Sequence, residues 1–172
     1  MSNKSQKVLI TRENIHQRVQ ELAKKINKDY SGKTLDIVCF VNSASFFCID
    51  LIRELTIPTR LHYISFTSYS TGNDVGEVKI NLDVNEPLYG RDILVVEGIV
   101  VSGRTPKYVL DIIQQRKPAS LNMCALGIKP KLLAVSLPLK YVGFELGSEI
   151  AVGYGIGNES QKTSPHLVEL LA

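Results

Sequence analysis

Hydrophobic residues recur at helical spacing after Thr11 and then form a nearly continuous run over 35–41. Thr11 suits an N-cap, and the apolar residues after it, at intervals of three and four, predict a helix with one apolar stripe. These residues are Ile15, Val19, Leu22, Ala23 and Ile26. Gly32 ends the pattern, and the run at 35–41 (LDIVCFV) is typical of a buried parallel strand.

The next segments continue this alternation of helices and strands. A helix is predicted over 45–55, with Pro58 marking its exit, and a half-buried strand over 59–66. The polar stretch 67–76 (TSYSTGNDVG) predicts a mobile loop or an extended hairpin. Further strands are predicted at 77–82, 92–97, 120–126, 141–145 and 150–154.

The strand at 92–97 ends on the carboxylate of Glu97 and leads through a loop into a helix over 106–116. Thr105 suits the N-cap of that helix, and Pro106 suits its first position. The alternation predicts an α/β fold whose mainly parallel sheet is covered on both faces. Without an internal repeat or linker, we expect one domain over 1–172.

Composition and charge exclude several classes of protein. The 172 residues are 44% hydrophobic and 22% charged with a net charge of +3, and the charges are mixed along the chain. Without a basic cluster we expect no nucleic-acid partner. No apolar run approaches the roughly 20 residues that span a bilayer. The polar start of the chain predicts no signal peptide.

The cysteines and histidines predict structural roles. Cys39, Cys48 and Cys124 lie in apolar stretches without a CxxC motif, which indicates buried free thiols in a reducing, cytoplasmic compartment. The three histidines have no metal-ligand spacing, so we expect no metal site. They are His16, His62 and His166.

The most informative segment is 93–105 (ILVVEGIVVSGRT), in which a buried strand delivers a loop that opens a helix. Unpaired N–H groups at a helix start bind phosphate, and Ser102, Gly103, Arg104 and Thr105 add hydroxyls, a close-approach glycine and a cation. The alternative is a plain strand-to-helix turn, in which the two hydroxyls only cap the helix and the arginine faces solvent.

This segment resembles the phosphoribosyl-pyrophosphate signature of type I phosphoribosyltransferases, and the chain is similar to bacterial hypoxanthine-guanine phosphoribosyltransferases over nearly its whole length. Other segments match in the expected order. They are Ser68-Tyr69, Gly76-Glu77-Val78, Gly90-Arg91-Asp92, Lys129-Pro130, Tyr141-Val142-Gly143-Phe144-Glu145 and Val152-Gly153-Tyr154-Gly155.

The resemblance implies a twisted, mainly parallel sheet flanked by helices, with a small hood made from both chain ends. It also implies transfer of a phosphoribosyl group to hypoxanthine or guanine, with Mg²⁺ holding the pyrophosphate. Glu97 then faces the ribose, Lys129 and Ile150 contact the purine, and 102–105 holds the 5′-phosphate. Family members commonly form dimers or tetramers, so we expect a homodimer or homotetramer.

Several functional positions of the family are replaced in this chain. The acidic pair is Glu97-Gly98, so its second carboxylate is missing, and the family's proposed general base is Val101. The Leu-Lys-Gly pyrophosphate loop corresponds to Val41-Asn42-Ser43, without its lysine. These replacements together predict loss of metal binding, pyrophosphate binding and proton transfer, so we expect no cofactor.

Further functional positions of the family are replaced near the end of the chain. The family's late aspartate, which helps to hold magnesium and purine, is Gly157, and the arginine six residues later is Thr163. Lys162 is adjacent and could substitute for that arginine. Ile150 occupies the position of the aromatic residue that stacks on the purine.

The retained residues also have plainer interpretations. Lys129 could be a solvated loop lysine, Glu97 could be paired to a lysine or arginine, and Tyr69 could pack the hairpin rather than act as a lid. Four functions follow: a degenerate transferase that binds a purine nucleotide or phosphate without efficient turnover, a weakly active transferase, a structural or regulatory subunit of an active paralogue, and, least favoured, a DNA-binding regulator.

Overall fold

Helices and strands alternate through the first two thirds of the chain, as the sequence predicts. The computed structural model describes residues 7–68, 78–157 and 163–169. The helices are α1 (Arg12–Asp29), α2 (Ser45–Glu54) and α3 (Arg104–Gln115), and a 3₁₀ turn covers Pro130–Leu132. The strands are β1 (Val8–Ile10), β2 (Leu35–Phe40), β3 (Thr59–Ser68), β4 (Val78–Leu82), β5 (Asp92–Val100), β6 (Ser120–Ile128), β7 (Leu139–Glu145), β8 (Ala151–Val152) and β9 (Leu167–Glu169).

The larger sheet has the strand order β4-β3-β2-β5-β6-β7. Its neighbours pair in parallel, except that β4 pairs antiparallel with β3. The chain moves from β2 to β3 in one direction and from β5 to β6 in the other, so right-handed crossovers place α2 and α3 on opposite faces. The predicted α/β fold with a mainly parallel sheet is confirmed.

The central strands are buried because helices cover both faces of the sheet. Every residue of β2 is buried, which explains its continuous apolar run. The predicted stripe of α1 is buried as well, and the Thr11 hydroxyl accepts a hydrogen bond from the Asn14 amide at 3.2 Å. Cys39, Cys48 and Cys124 are free and buried, as predicted.

A second sheet, with the order β1-β9-β8 and antiparallel pairing, forms the hood. It joins the start of the chain to its end, which confirms the hood that the resemblance implied. The strand predicted at 150–154 is shorter than expected and stops at Val152. Gly153 and Tyr154 have φ values of 106° and 51°, so the backbone leaves the extended region there.

The junction between β5 and α3 differs from the sequence prediction. Strand β5 does not end at Glu97, because pairing with β6 continues as far as Val100. Helix α3 begins at Arg104 rather than at Pro106, and its N-cap is Gly103 with a φ of 75° instead of Thr105. The N-cap prediction was wrong because a left-handed glycine turns the chain into the helix two residues earlier.

Two further predictions, a loop at 67–76 and the absence of a membrane-spanning segment, are tested only for the described residues. Of the predicted loop at 67–76, the described part is Thr67 and Ser68, which belong to the end of β3, so Tyr69 and the rest lie outside the described residues. Across the described ranges, no helix is long and apolar enough to cross a membrane.

Candidate functional site

The candidate site lies at the carboxyl ends of β2 and β5. These two strands are neighbours, and the strand order reverses between them, with β3 outside β2 and β6 outside β5. Open α/β sheets bind ligands at such a switch point. Two segments lie at this edge: residues 41–44, which follow β2, and residues 101–105, which follow β5 and include the first two residues of α3. We call them the α2 loop and the α3 loop after the helices they enter.

The α3 loop presents main-chain donors at the start of a helix. The first N–H groups of a helix have no partner within it, and here they belong to Arg104 and Thr105, because Pro106 has none. The Ser102 hydroxyl accepts a long hydrogen bond of 3.4 Å from the Arg104 amide. Ser102 and Thr105 are half-buried, whereas the Arg104 side chain is exposed to solvent.

Packing fixes the path of the α3 loop. A Cβ atom added at Gly103 would lie 3.0 Å from Cδ1 of both Leu133 and Leu137, and 3.2 Å from Cγ2 of Val135. The Ser102 carbonyl also accepts a hydrogen bond from the Ala134 amide at 2.9 Å. The segment after β6 therefore covers one side of this loop and favours glycine at its centre.

Glu97 is buried and hydrogen-bonded to the α2 loop. Its Oε1 accepts hydrogen bonds from the Ser43 hydroxyl at 2.6 Å and from the Gly98 amide at 2.7 Å. Burial raises the pKa of Glu97 to about 7, although both hydrogen bonds favour the ionised form. Neither donor is a lysine or arginine, so the structure does not favour the ion pair considered from the sequence.

Three positions that the resemblance marks as replaced lie in the α2 loop, in β5 and in the α3 loop. Asn42 is exposed in the α2 loop, Gly98 is buried beside Glu97, and Val101 is 43% exposed in the α3 loop. A Cβ atom added at Gly98 would lie 2.6 Å from the Ser43 carbonyl oxygen. The α2 loop therefore lies against the main chain of β5, and no side chain fits at position 98 unless one of the two moves.

Lys129 and Ile150 lie on the other side of the site. The Lys129 side chain is 7% exposed, and its Nζ donates a hydrogen bond of 2.6 Å to the carbonyl of Glu149. It is therefore not the solvated loop lysine considered from the sequence. Its amide donates to the Val100 carbonyl at 2.9 Å, which ties it to the end of β5. Ile150, next to Glu149, is 60% exposed.

Gly157 and Thr163 follow β8 in the hood. Gly157 is exposed with a φ of 98°, and an added Cβ atom would lie 2.7 Å from Cγ1 of Val152. Thr163 lines a separate cleft of about 540 Å³ beside α1 and α2, together with Phe46 and Tyr154. None of the predicted phosphate- or purine-contacting residues lines that cleft. Lys162 lies outside the described residues.

The donor set does not fit a magnesium ion of the kind the family uses. Magnesium prefers carboxylate oxygens, and here Gly98 has no side chain, Val101 is apolar, and Oε1 of Glu97 already accepts two internal hydrogen bonds. In the described part of the chain, no group of three or more His, Cys, Asp or Glu side chains could hold a metal ion. We therefore derive no step that uses a metal.

Two contacts of the site were not predicted. Ser43 was assigned only to the replaced pyrophosphate loop, yet its hydroxyl contacts Glu97, which is 54 positions away in sequence. The Glu149 carbonyl, which holds Lys129, is a main-chain atom and gives no side-chain signal. The resemblance itself was the available signal, because it placed the α2 loop and the signature strand in one site.

Comparison with known proteins agrees with this architecture. The phosphoribosyl transferase domain family matches residues 6–157. Hypoxanthine phosphoribosyltransferase of Haemophilus influenzae is 36% identical over 153 residues, which are 87% of this chain and 86% of that protein. For hypoxanthine-guanine phosphoribosyltransferase of Mycobacterium tuberculosis, the identity is 34% over 156 residues, which are 87% of this chain and 77% of that protein.

A crystal structure of a hypoxanthine phosphoribosyltransferase from Staphylococcus aureus superimposes with a TM-score of 0.92 at 32% identity, covering 96% of this chain and 91% of that one. A hypoxanthine-guanine phosphoribosyltransferase from Bacillus anthracis gives a TM-score of 0.89 at 32% identity, covering 96% and 98%. Sequence and fold agree over the same long stretch of chain. The chain therefore belongs to the type I phosphoribosyltransferase family, as a homologue of the hypoxanthine-guanine phosphoribosyltransferases.

Proposed function

We propose that this chain binds a purine nucleotide, or a smaller phosphate, at the carboxyl ends of β2 and β5 without efficient turnover. The observation that carries the proposal is the contrast within the site. The α3 loop keeps its donors at the start of α3, whereas Gly98 and Val101 stand where the family has acids. Relatives named for hypoxanthine and guanine support a purine as the base.

Slow turnover follows from what the replaced side chains cannot do. Val101 can neither accept nor donate a proton, and the loss of general acid–base catalysis costs roughly 10²–10⁴ in rate. The exposed amide of Asn42 replaces a cation at the leaving pyrophosphate, and loss of such electrostatic stabilisation costs a further factor of roughly 10²–10³.

The missing carboxylates should slow turnover but favour the binding of a phosphate. Two like charges 4 Å apart repel by about 4 kcal/mol at an effective dielectric constant of 20, so each missing carboxylate removes a repulsion of that order from a phosphate at comparable distance. We therefore expect the phosphate to bind without magnesium. Homo-oligomers, a cytoplasmic location and partnership with an active paralogue stay predictions.

The test measures turnover and binding on the same purified protein. Formation of IMP from hypoxanthine and phosphoribosyl pyrophosphate with Mg²⁺ is followed beside the Mycobacterium tuberculosis homologue, and GMP is titrated calorimetrically with and without Mg²⁺. We expect GMP to bind with a Kd that Mg²⁺ changes less than twofold, and no measurable turnover. Turnover on the order of 1 s⁻¹ or more contradicts the proposal.

A weakly active transferase is a second candidate, supported by one feature of Glu97. Burial raises the pKa of this carboxyl to about 7, which is the range in which a side chain works as a general acid or base near neutral pH. If turnover is slow but measurable, its pH profile distinguishes the two candidates. A rate that follows a group with a pKa near 7 and disappears in Glu97→Gln supports the weak enzyme.

A further inference from the structure

The carboxylate of Glu97 is engaged by the protein itself. Its side chain is only 6% exposed, and Oε1 accepts hydrogen bonds from both the Ser43 hydroxyl and the Gly98 amide. A carboxylate oxygen has two lone-pair sites, so two donors at 2.6 and 2.7 Å occupy that oxygen. Both sites of Oε1 are therefore occupied, and burial of the residue limits the access of a ligand to Oε2 in this arrangement.

The α2 loop is held firmly in the position from which Ser43 reaches Glu97. The Ala44 amide donates to the Phe40 carbonyl at 2.9 Å, and the Ser45 amide donates to the Asn42 carbonyl at 3.2 Å. The Ser43 carbonyl lies against Gly98, where even a Cβ atom would be 2.6 Å away. The side chain and the main chain of Ser43 thus both lie against the end of β5.

We propose that Ser43 is a positioning residue that withholds Glu97 from the sugar of a bound nucleotide, so that the site does not distinguish ribonucleotides from deoxyribonucleotides. This inference rests on the proposed function. A site rejects an analogue that lacks a hydroxyl only when the site itself pairs with that hydroxyl, because a buried partner is then left unsatisfied. Here Oε1 of Glu97 already accepts two hydrogen bonds, the residue is buried, and Gly98 offers no second carboxylate.

The experiment compares GMP, 2′-deoxy-GMP and 2′,3′-dideoxy-GMP by calorimetry at one salt concentration. We expect the wild-type protein to bind all three with Kd values within about twofold. Ser43→Ala removes the hydroxyl and leaves Oε1 open to a sugar hydroxyl. For this variant we expect GMP to bind at least fivefold more tightly than the dideoxy compound.

Two matched variants show whether an effect of Ser43→Ala comes from the lost hydroxyl or from a general disturbance of the α2 loop. Ser43→Thr keeps a hydroxyl and should restore the wild-type lack of discrimination. Ser45→Ala removes a neighbouring hydroxyl at the start of α2 and should also behave as wild type. At pH 8, above the pKa of about 7, adding Glu97→Gln to Ser43→Ala should reduce the new discrimination, because a neutral amide oxygen replaces the charged acceptor. Should Ser43→Ala fold poorly, Ser43→Gly removes the same hydroxyl.

The nucleotide titrations distinguish failure of this inference from failure of the proposed function. A wild-type protein that binds GMP fivefold or more tightly than dideoxy-GMP overturns this inference and leaves the proposed function standing. A Ser43 variant without its hydroxyl that discriminates no better than the wild type also overturns it. If the wild-type protein binds none of the three nucleotides, the proposed function fails, and the inference fails with it.

Discussion

The α2 loop and the α3 loop meet at one edge of the sheet but have diverged from the family pattern to different degrees. In the α3 loop, Ser102, Gly103 and Thr105 agree with the signature, and Val101 departs from it. In the α2 loop, Asn42 replaces the family's lysine, and Ser43 takes part in an internal hydrogen bond. The α3 loop thus keeps the hydroxyls and the glycine of the signature, whereas the α2 loop contacts β5 through Ser43.

The difference follows from where each loop obtains its chemistry. The donors of the α3 loop are mainly main-chain N–H groups at the start of α3, which persist as long as the helix begins at Arg104. The resemblance implies that the α2 loop of the family uses a charged side chain, which a single substitution can remove. The proposed function therefore requires that side-chain substitutions abolish catalysis while the main-chain donors of the α3 loop still bind phosphate.

The strongest test of this contrast removes the hydroxyls of the α3 loop. Hydrogen bonds to a charged group contribute roughly 1.5–3 kcal/mol each, so Ser102→Ala with Thr105→Ala should weaken GMP binding at least roughly 100-fold. The Kd is measured by calorimetry, and circular dichroism checks that the fold is intact.

The matched control for that experiment lies in the other loop. Asn42 is exposed, and Asn42→Ala should change the Kd of GMP less than twofold. Equal losses in both variants would contradict the contrast between the loops. An unchanged Kd in the double variant would contradict this prediction, because it would show that neither hydroxyl contacts the ligand.

The second test uses the proton of Glu97, the residue of β5 that accepts a hydrogen bond from the α2 loop. Burial raises its pKa from 4.5 to about 7, so the folded protein retains this proton after the unfolded chain has released it. Stability should therefore fall as pH rises from about 4.5 to 7. With about 1.4 kcal/mol per pKa unit, the loss amounts to roughly 3 kcal/mol.

Glu97→Gln cannot titrate and isolates this contribution from other groups. The free energy of unfolding is measured in urea at pH 4.5 and pH 8 for both proteins. We expect the variant to gain roughly 3 kcal/mol relative to wild type between the two pH values. A difference between the proteins that stays constant with pH would mean that folding does not raise the pKa of Glu97.

Much of the fold was predictable because its signals are local. The continuous apolar run of β2 requires burial on both faces, and the stripe of α1 after Thr11 requires one buried side, so both elements appear within a residue or two of their predicted bounds. The hood was expected only from the resemblance, since strands as short as Val8–Ile10 and Leu167–Glu169 have no periodic pattern of their own.

The junction and the site contacts were less predictable because their causes are not local. The end of β5 is set by its pairing with β6, and the cap of α3 is set by the packing of Leu133 and Leu137 against Gly103. The hydrogen bond from Ser43 to Glu97 joins two strands that become neighbours only in the folded sheet. No spacing along the sequence encodes such a contact.

The smallest expected effect tests the contact between the α2 loop and β5. Gly98 has no left-handed φ, so Gly98→Ala adds no backbone strain, but its Cβ would lie 2.6 Å from the Ser43 carbonyl oxygen. Crowding of this kind costs roughly 1–3 kcal/mol, partly offset by the reduced freedom of the unfolded chain. We expect a net loss of stability of about 1 kcal/mol in urea unfolding.

Gly127→Ala is the matched control, because it lies in the neighbouring strand β6 and its Cβ would meet the flexible Leu146 side chain at 3.0 Å. That side chain can turn away, whereas a carbonyl oxygen moves only with its backbone, so Gly127→Ala should cost less than Gly98→Ala. The two variants are compared at one pH, where Glu97 has the same charge in both. If Gly98→Ala is as stable as wild type, the α2 loop yields easily, and position 98 accepts a side chain after all.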